Sequence, residues 1–182
     1  MTVLDSGPPA EADLHTAMSV TSFLEHEADL LDRVELEEWL DLWCDDLMYV
    51  VPIDWSQPDP AADEFYRGPG RSRVCIVYDD RVRLSQRIRR LRSQYNWTQN
   101  PPVRGQRMIS SVVLHPAAAG ECIVTSKFML ALYRVSRREV DVLAGHLHHR
   151  LEMLDDGGFR ILGKISTLVN CDASLEDLSI LL

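Results

Sequence analysis

The segments RMISSVVLH (107–115), ECIVTSKFMLALYR (121–134), EVDVLAGHLHHRLEML (139–154) and FRILGKISTLV (159–169) make up most of the second half of this sequence. Each is long and rich in residues that favour strands, and turn-forming residues such as Asp156-Gly157-Gly158 separate it from the next. Short turns between long strands predict an antiparallel meander. The C-terminal half is therefore expected to form one sheet.

Two amphipathic helices are predicted ahead of this sheet. Apolar residues recur at helical spacing between positions 20 and 34 and again between 36 and 47, and the pattern breaks around Asp32–Val34. Acidic residues, Glu27 among them, are expected to cover the outward sides of both helices, as on an ordinary solvated surface. Helices first and an antiparallel sheet afterwards indicate the α+β class, with the helices packed on one face of the sheet.

Shorter elements lie between the helices and the long strands. Residues 47–53 and 74–78 are predicted to be short strands, and residues 54–73 a loop rich in Pro and Gly. Asp79-Asp80 can cap a following helix, which carries six arginines between positions 81 and 92. The chain is thus acidic in its first third and strongly basic in this helix.

Length and composition indicate one globular domain. With 182 residues, 46% hydrophobic and 26% charged, the chain is long enough to bury a core. We expect a single domain over residues 19–182 and a flexible arm over residues 1–18, where Gly7, Pro8 and Pro9 interrupt any periodicity. A formal net charge of −9 argues against a nucleic-acid or membrane binder. Without an apolar span or a basic leader, the expected location is the cytoplasm.

Metal chemistry has one local candidate. On a strand, His146, His148 and then Glu152 project from one face, as a cupin-type metal site needs. A cupin motif requires Gly where Val140 stands, and no second histidine motif follows. The other histidines are too scattered for a two-His-one-carboxylate iron site, and the four cysteines too far apart for a zinc or iron–sulfur site. We therefore expect no catalytic, cofactor or metal site in this chain.

The order of the segments resembles that of a known family. The blocks that carry the resemblance are FLEHEADLLD (23–32), EWLDL (38–42), DLMYVVPI (46–53), YDD (78–80) running through to Trp97 and Pro101-Pro102, RMISSV (107–112) and LEDLSILL (175–182). Across residues 20–182 these blocks resemble, in order, the β (small) subunits of aromatic-ring-hydroxylating dioxygenases. The segments PVRGQR (102–107) and NCD (170–172) depart from the usual form of the family.

The resemblance implies a fold, a partner and an activity. The implied fold is a cone-like fold of the ketosteroid-isomerase and nuclear-transport-factor type, with N-terminal helices packed on a curved antiparallel sheet. The implied partner is a catalytic α subunit that carries a Rieske [2Fe-2S] cluster and a mononuclear iron, in an α3β3 hexamer. A reductase, often through a ferredoxin, is expected to supply electrons from NAD(P)H. The whole enzyme is expected to add O2 to an aromatic ring to give a cis-dihydrodiol, with the β subunit as its structural, non-catalytic part.

With a partner subunit implied, arginines and polar strand residues become candidates for contact with it, because arginine is favoured at protein interfaces. The predicted contact residues are Arg83, Arg87, Arg90, Trp97, Arg107, His146, His148 and Arg150.

Two other functions remain open at this point. The same cone fold can enclose a small pocket and act alone as an isomerase, dehydratase or hydrolase, with Tyr49, Asp80 or His115 as acid/base groups. The basic helix over residues 81–92 could instead bind a phosphate polymer, and such binding would depend steeply on salt.

Overall fold

The computed structural model describes residues 11–53, 55, 74–92, 103–171 and 181–182. Its elements are, in chain order, α1 (Glu11–Asp32), α2 (Leu36–Asp41), β1 (Trp43–Pro52), β2 (Cys75–Asp79), α3 (Arg81–Arg92), β3 (Arg104–His115), β4 (Glu121–Arg134), β5 (Glu139–Met153) and β6 (Phe159–Leu168). Within these ranges, every helix is too short or too polar to cross a membrane. The predicted loop over 54–73 lies outside the described residues except for Trp55.

A six-stranded sheet in the order β2-β1-β6-β5-β4-β3 is the framework of the fold. Strands β3 to β6 follow one another as antiparallel neighbours, which confirms the predicted meander. Strand β1 pairs in parallel with β6 and antiparallel with β2. The sheet is therefore mixed, because the first long strand of the chain inserts beside the last one.

The N-terminal part differs from the sequence prediction in two places. Helix α1 already begins at Glu11, so the flexible arm predicted over residues 1–18 is wrong from residue 11 onward. Residues 11–19 contain neither Gly nor Pro, so nothing in them stops a helix; residues 1–10 lie outside the described part. The second helix ends at Asp41 instead of residue 47, because β1 starts at Trp43 and pairs with β6. The predicted break is confirmed, and there Val34 has a φ of 60°.

The helices pack on one face of the sheet and close the core. Leu24 of α1 and Trp39 of α2 are buried in one cluster with Leu151 of β5. Trp39, Trp43 and Tyr49 form a triangle of edge-to-face contacts, with ring centroids 5.3 to 6.1 Å apart. The core therefore lies between α1, α2 and one face of the sheet.

Strand β5 shows how tightly the middle of the sheet is built. Leu147 and Leu151 are buried toward the helices, as predicted, whereas Met153 at the end of the strand is 40% exposed. Gly145 is needed for close approach, since a Cβ added there would lie 2.0 Å from the carbonyl oxygen of Thr167 on β6. A glycine therefore sets the distance between these two central strands.

Candidate functional site

A buried ionic cluster formed by Glu27, Lys164 and His149 lies between the helices and the sheet. Glu27 on α1 accepts hydrogen bonds from Lys164 Nζ at 2.8 Å, His149 Nε2 at 3.1 Å and Trp39 Nε1 at 3.0 Å. The three ionisable side chains are at most 3% exposed. One carboxylate therefore ties α1 to α2, β5 and β6. We call these three residues the Glu27 cluster.

The charges in the Glu27 cluster follow from its surroundings. Burial alone would raise the pKa of Glu27, but Lys164 and then His149 outweigh it and hold that pKa well below its usual range. Burial lowers the pKa of His149, so this ring is neutral at pH 7. Its Nε2 faces the carboxylate and carries the proton, which leaves Nδ1 as a buried acceptor with no hydrogen-bond partner among the described residues. The cluster is thus an ion pair with a neutral imidazole beside it.

Next to this cluster, Leu181 and Leu182 fill the interior of the cone. The Tyr49 hydroxyl accepts a hydrogen bond from the Leu182 N–H at 2.8 Å and lies 3.2 Å from the Leu182 carbonyl, to which it donates. Ser166 Oγ also donates to that carbonyl, at 3.2 Å. Burial raises the pKa of Tyr49 to about 12, so the phenol keeps its proton. The hydroxyl therefore serves as a fixed anchor for Leu182.

The three acid/base candidates of the single-enzyme alternative are held in separate places. Tyr49 points into the interior, where Leu182 takes up its hydroxyl. Asp80 caps α3, since its Oδ1 accepts the Arg83 N–H at 2.9 Å. His115, at the end of the edge strand β3, contacts Thr125 Oγ1 through Nε2 at 2.8 Å. The fold does not bring these three side chains into one pocket.

Three predicted contact residues lie on α3 and differ in their surroundings. Arg90 is exposed. Arg83 is also exposed and donates to the Tyr78 carbonyl at 3.3 Å. Arg87 is engaged inside the chain, where its Nε pairs with Asp79 at 2.5 Å and its side chain is 16% exposed. The outward charge of this helix therefore comes from Arg83 and Arg90 more than from Arg87.

Arg107 is largely internal. Its side chain is 9% exposed, forms an ion pair with Asp32 of α1 and donates to the Leu181 carbonyl at 2.6 Å. Arg107 therefore joins β3 to α1 and to the Leu181–Leu182 segment. Trp97 lies outside the described residues.

The other three predicted contact residues lie on the face of β5 that points away from the helices. His148 is only 4% exposed, and burial together with nearby histidines lowers its pKa to about 4. The His146 ring has the Trp55 ring against it, with centroids 5.4 Å apart. Arg150 forms two hydrogen bonds with Glu121, at 2.6 and 3.0 Å. In the described ranges, no group of three or more His, Cys, Asp or Glu is placed to hold a metal ion.

The prediction that Glu27 lies on the solvated side of its helix is wrong, because the residue is 2% exposed, although a signal for its burial was present. Glu27 stands three positions after Leu24 and four before Leu31, on the buried stripe of α1. A carboxylate at such a position requires a buried partner. Lys164, one of two lysines in the chain, lies in an apolar strand segment. What no local pattern could supply was the pairing of two residues 137 positions apart.

Comparisons with known proteins agree on one family. The model for the ring hydroxylating beta subunit matches residues 26–173. The small oxygenase component of the p-cumate 2,3-dioxygenase system of Pseudomonas putida is 33% identical over 149 residues, which cover 82% of this chain and 77% of that protein.

Solved structures share the fold. A naphthalene 1,2-dioxygenase chain superimposes with a TM-score of 0.77 at 18% identity, covering 93% of this chain and 87% of that one. The benzoate 1,2-dioxygenase beta subunit of Burkholderia mallei gives a TM-score of 0.67 at 20% identity, covering 96% and 99%. The expected cone-like α+β fold is therefore confirmed. The family model, which matches more than half of the chain, and the 33% identical relative show that the chain belongs to the β-subunit family of aromatic-ring-hydroxylating dioxygenases.

Proposed function

We propose that this chain is the non-catalytic structural subunit of a multicomponent dioxygenase that adds O2 to an aromatic ring to give a cis-dihydrodiol. The observation that supports the non-catalytic role is that two polar groups inside the cone are already hydrogen-bonded to other parts of this chain. There the Tyr49 hydroxyl binds the backbone of Leu182, and Glu27 is occupied by Lys164, His149 and Trp39. Groups that are saturated by structural hydrogen bonds are poor candidates for moving a substrate's proton. The interior therefore serves stability.

The proposed partner is a catalytic α subunit, in an α3β3 hexamer located in the cytoplasm. The Rieske [2Fe-2S] cluster and the mononuclear iron belong to that α subunit, and a reductase, with or without a ferredoxin, delivers electrons from NAD(P)H. The printed names of the relatives support a subunit role, since they describe a small oxygenase component and beta subunits. In this arrangement the β chain holds the assembly together.

The contact residues are proposed to lie on the surfaces named from the sequence. Arg83 and Arg90 offer exposed charge on α3, and His146 offers a half-buried ring on β5. Arg87 and Arg107 contribute indirectly. Arg87 holds α3 in place through its ion pair with Asp79, and Arg107 holds the Leu181–Leu182 segment. The complete proposed set is Arg83, Arg87, Arg90, Trp97, Arg107, His146, His148 and Arg150.

Purification of this chain with a catalytic α subunit from the same cells tests the proposal. We expect equal numbers of both chains by native mass spectrometry, with all iron remaining on the α subunit when the two are separated. Complexes carrying Tyr49→Phe, Asp80→Asn or His115→Gln should turn over an aromatic substrate at the wild-type rate per assembled complex. The isolated chain should show no turnover.

Two results would overturn the proposal. One is stoichiometric iron bound to the isolated chain. The other is turnover of a small substrate by the isolated chain that disappears in one of the three variants, since this is the behaviour of a single-chain enzyme with the same fold.

A further inference from the structure

The sheet face opposite the helices carries a contiguous apolar patch on β3, β4 and β5. In the cross-strand register, Met108 of β3 lies directly beside Met129 of β4. On β5, Val142 lies one row of outward-facing residues further along the sheet, and Val140 lies two rows further. The exposed fractions of Met108, Met129, Val142 and Val140 are 53, 43, 57 and 59%. We call these four residues the outer patch.

The outer patch lies at the centre of a surface with a polar rim. The patch lies within four successive rows of outward-facing residues, and each row crosses β3, β4 and β5. On β3 the rows begin at Arg104 and end at Ser110, so they contain twelve positions. At about 4.8 Å between strands and about 3.4 Å per residue, they span roughly 14 by 20 Å, and because seven of the twelve side chains are apolar, the apolar part covers about 170 Å². Contiguous apolar side chains with a polar rim are typical of interaction sites. The rim here consists of Arg104, Gln106, Ser110, Lys127 and His146.

The charges in these rows are positive. Arg104 and Lys127 lie among the twelve positions, and none of the twelve is Asp or Glu, although the whole chain has a formal net charge of −9. A second copy placed face to face would set these cations against like charges. A partner fits this face if it offers apolar side chains for the patch and a carboxylate for Lys127.

We propose that the outer patch is the centre of the surface that binds the catalytic subunit, with apolar side chains of that subunit covering Met108 and Met129 and a carboxylate facing Lys127. This inference rests on the proposed function, because it takes the catalytic subunit as the partner. An apolar centre with charges toward the rim is the usual build of a specific interface, and methionine adapts well to a partner's shape. The basic face of α3 lies at the other edge of the sheet, beside β1 and β2, and is peripheral to this contact.

Two matched pairs of variants, each assembled with the α subunit, test the inference. Met129→Lys changes the outer patch, and Met18→Lys makes the same change at a methionine that is 72% exposed on α1. We expect the dissociation constant to rise about 100-fold for Met129→Lys, as for a buried hot spot, and to stay within about twofold for Met18→Lys. Lys127→Glu should weaken binding about tenfold, while Arg33→Glu, at an arginine just after α1 whose side chain is 58% exposed, should leave it unchanged.

The outcomes separate this inference from the proposed function. Wild-type affinity in both Met129→Lys and Lys127→Glu would overturn the inference, and so would an equal loss in Met18→Lys or Arg33→Glu. A homo-oligomer of the wild-type chain that Met129→Lys dissociates would show that a second copy covers the patch, which also overturns it. Failure of the wild-type chain to bind any α subunit would instead refute the proposed function. Circular dichroism checks that each variant is folded; if Met129→Lys is not, Lys127→Glu decides.

Discussion

Replacing Glu27 by Gln removes the negative charge of the Glu27 cluster while keeping its size. Lys164 Nζ, 2.8 Å from the carboxylate and 2% exposed, then has no counter-ion. Breaking a buried ion pair by removing one partner costs about 3–5 kcal/mol. Domains are stable by only about 5–15 kcal/mol. We therefore expect Glu27→Gln to lose a large part of the free energy of unfolding.

Urea unfolding at pH 7, followed by far-ultraviolet circular dichroism, measures this loss. Glu25→Gln, an exposed position on the same helix, is the matched control and should change stability by less than about 0.5 kcal/mol. The double variant Glu27→Gln/Lys164→Met should recover part of the loss, because the second substitution removes the buried charge that Glu27→Gln leaves without a counter-ion. A Glu27→Gln variant within about 1 kcal/mol of the wild type would refute the reasoning.

The pH dependence of stability is a second test of the ion pair in the Glu27 cluster. Burial holds the pKa of Lys164 below its ordinary value, and without Glu27 nothing opposes that shift. Where the folded variant has already lost this proton, the unfolded variant binds more protons than the folded one, so stability rises with pH toward 10.5, by at most about 1.4 kcal/mol per pH unit. In the wild type, the lowered pKa of Glu27 means that its ionised carboxylate stabilises the folded state. This stabilisation is complete above pH 4.5 and is lost as the pH falls further.

Three further predictions concern other positions. Gly145→Ala should lower the thermal midpoint sharply or prevent folding, because its Cβ would meet the Thr167 carbonyl at 2.0 Å; a thermal melt equal to that of the wild type would contradict this. Tyr49→Phe should lose about 1–3 kcal/mol in urea unfolding, because the buried Leu182 N–H loses its acceptor, while the Leu182 carbonyl keeps the hydrogen bond from Ser166. The Cys44 thiol, whose pKa burial raises to about 11, should react with iodoacetamide at pH 8 more slowly than free cysteine, as followed by mass spectrometry.

The long strands could be read from the sequence because their evidence is local. Alternating burial along β4 and turn residues between the strands specify both the elements and their order. The start of β1 could not be read in this way. Trp39, Leu40, Trp43 and Leu47 are spaced as on a helix, yet Trp43 lies in a strand because β6 is available to pair with it. Strand pairing in the folded protein therefore outweighs the helical spacing of these apolar residues.

The surroundings of the predicted contact residues could likewise be predicted from the sequence only in part. Alternation along β5 correctly separated the face that carries His146 from the one that carries Leu147. It could not show that His148 is covered, or that Arg107 turns inward to Asp32. Those outcomes depend on which distant side chains arrive beside each residue, and no local pattern in the sequence records this.

The parallel pairing of β1 with β6 sets the order in which the nascent chain can fold. Trp43 pairs with Ile161, 118 positions later, and Val50 with Ile165, 115 positions later. At about 5–20 residues per second, the ribosome makes the docking strand roughly 6–24 s after β1. During this interval the aromatic side of β1 has no sheet to enter and is open to aggregation, and pairings at such long range are slow to form. The core of this subunit therefore closes only after its last strand has been synthesised.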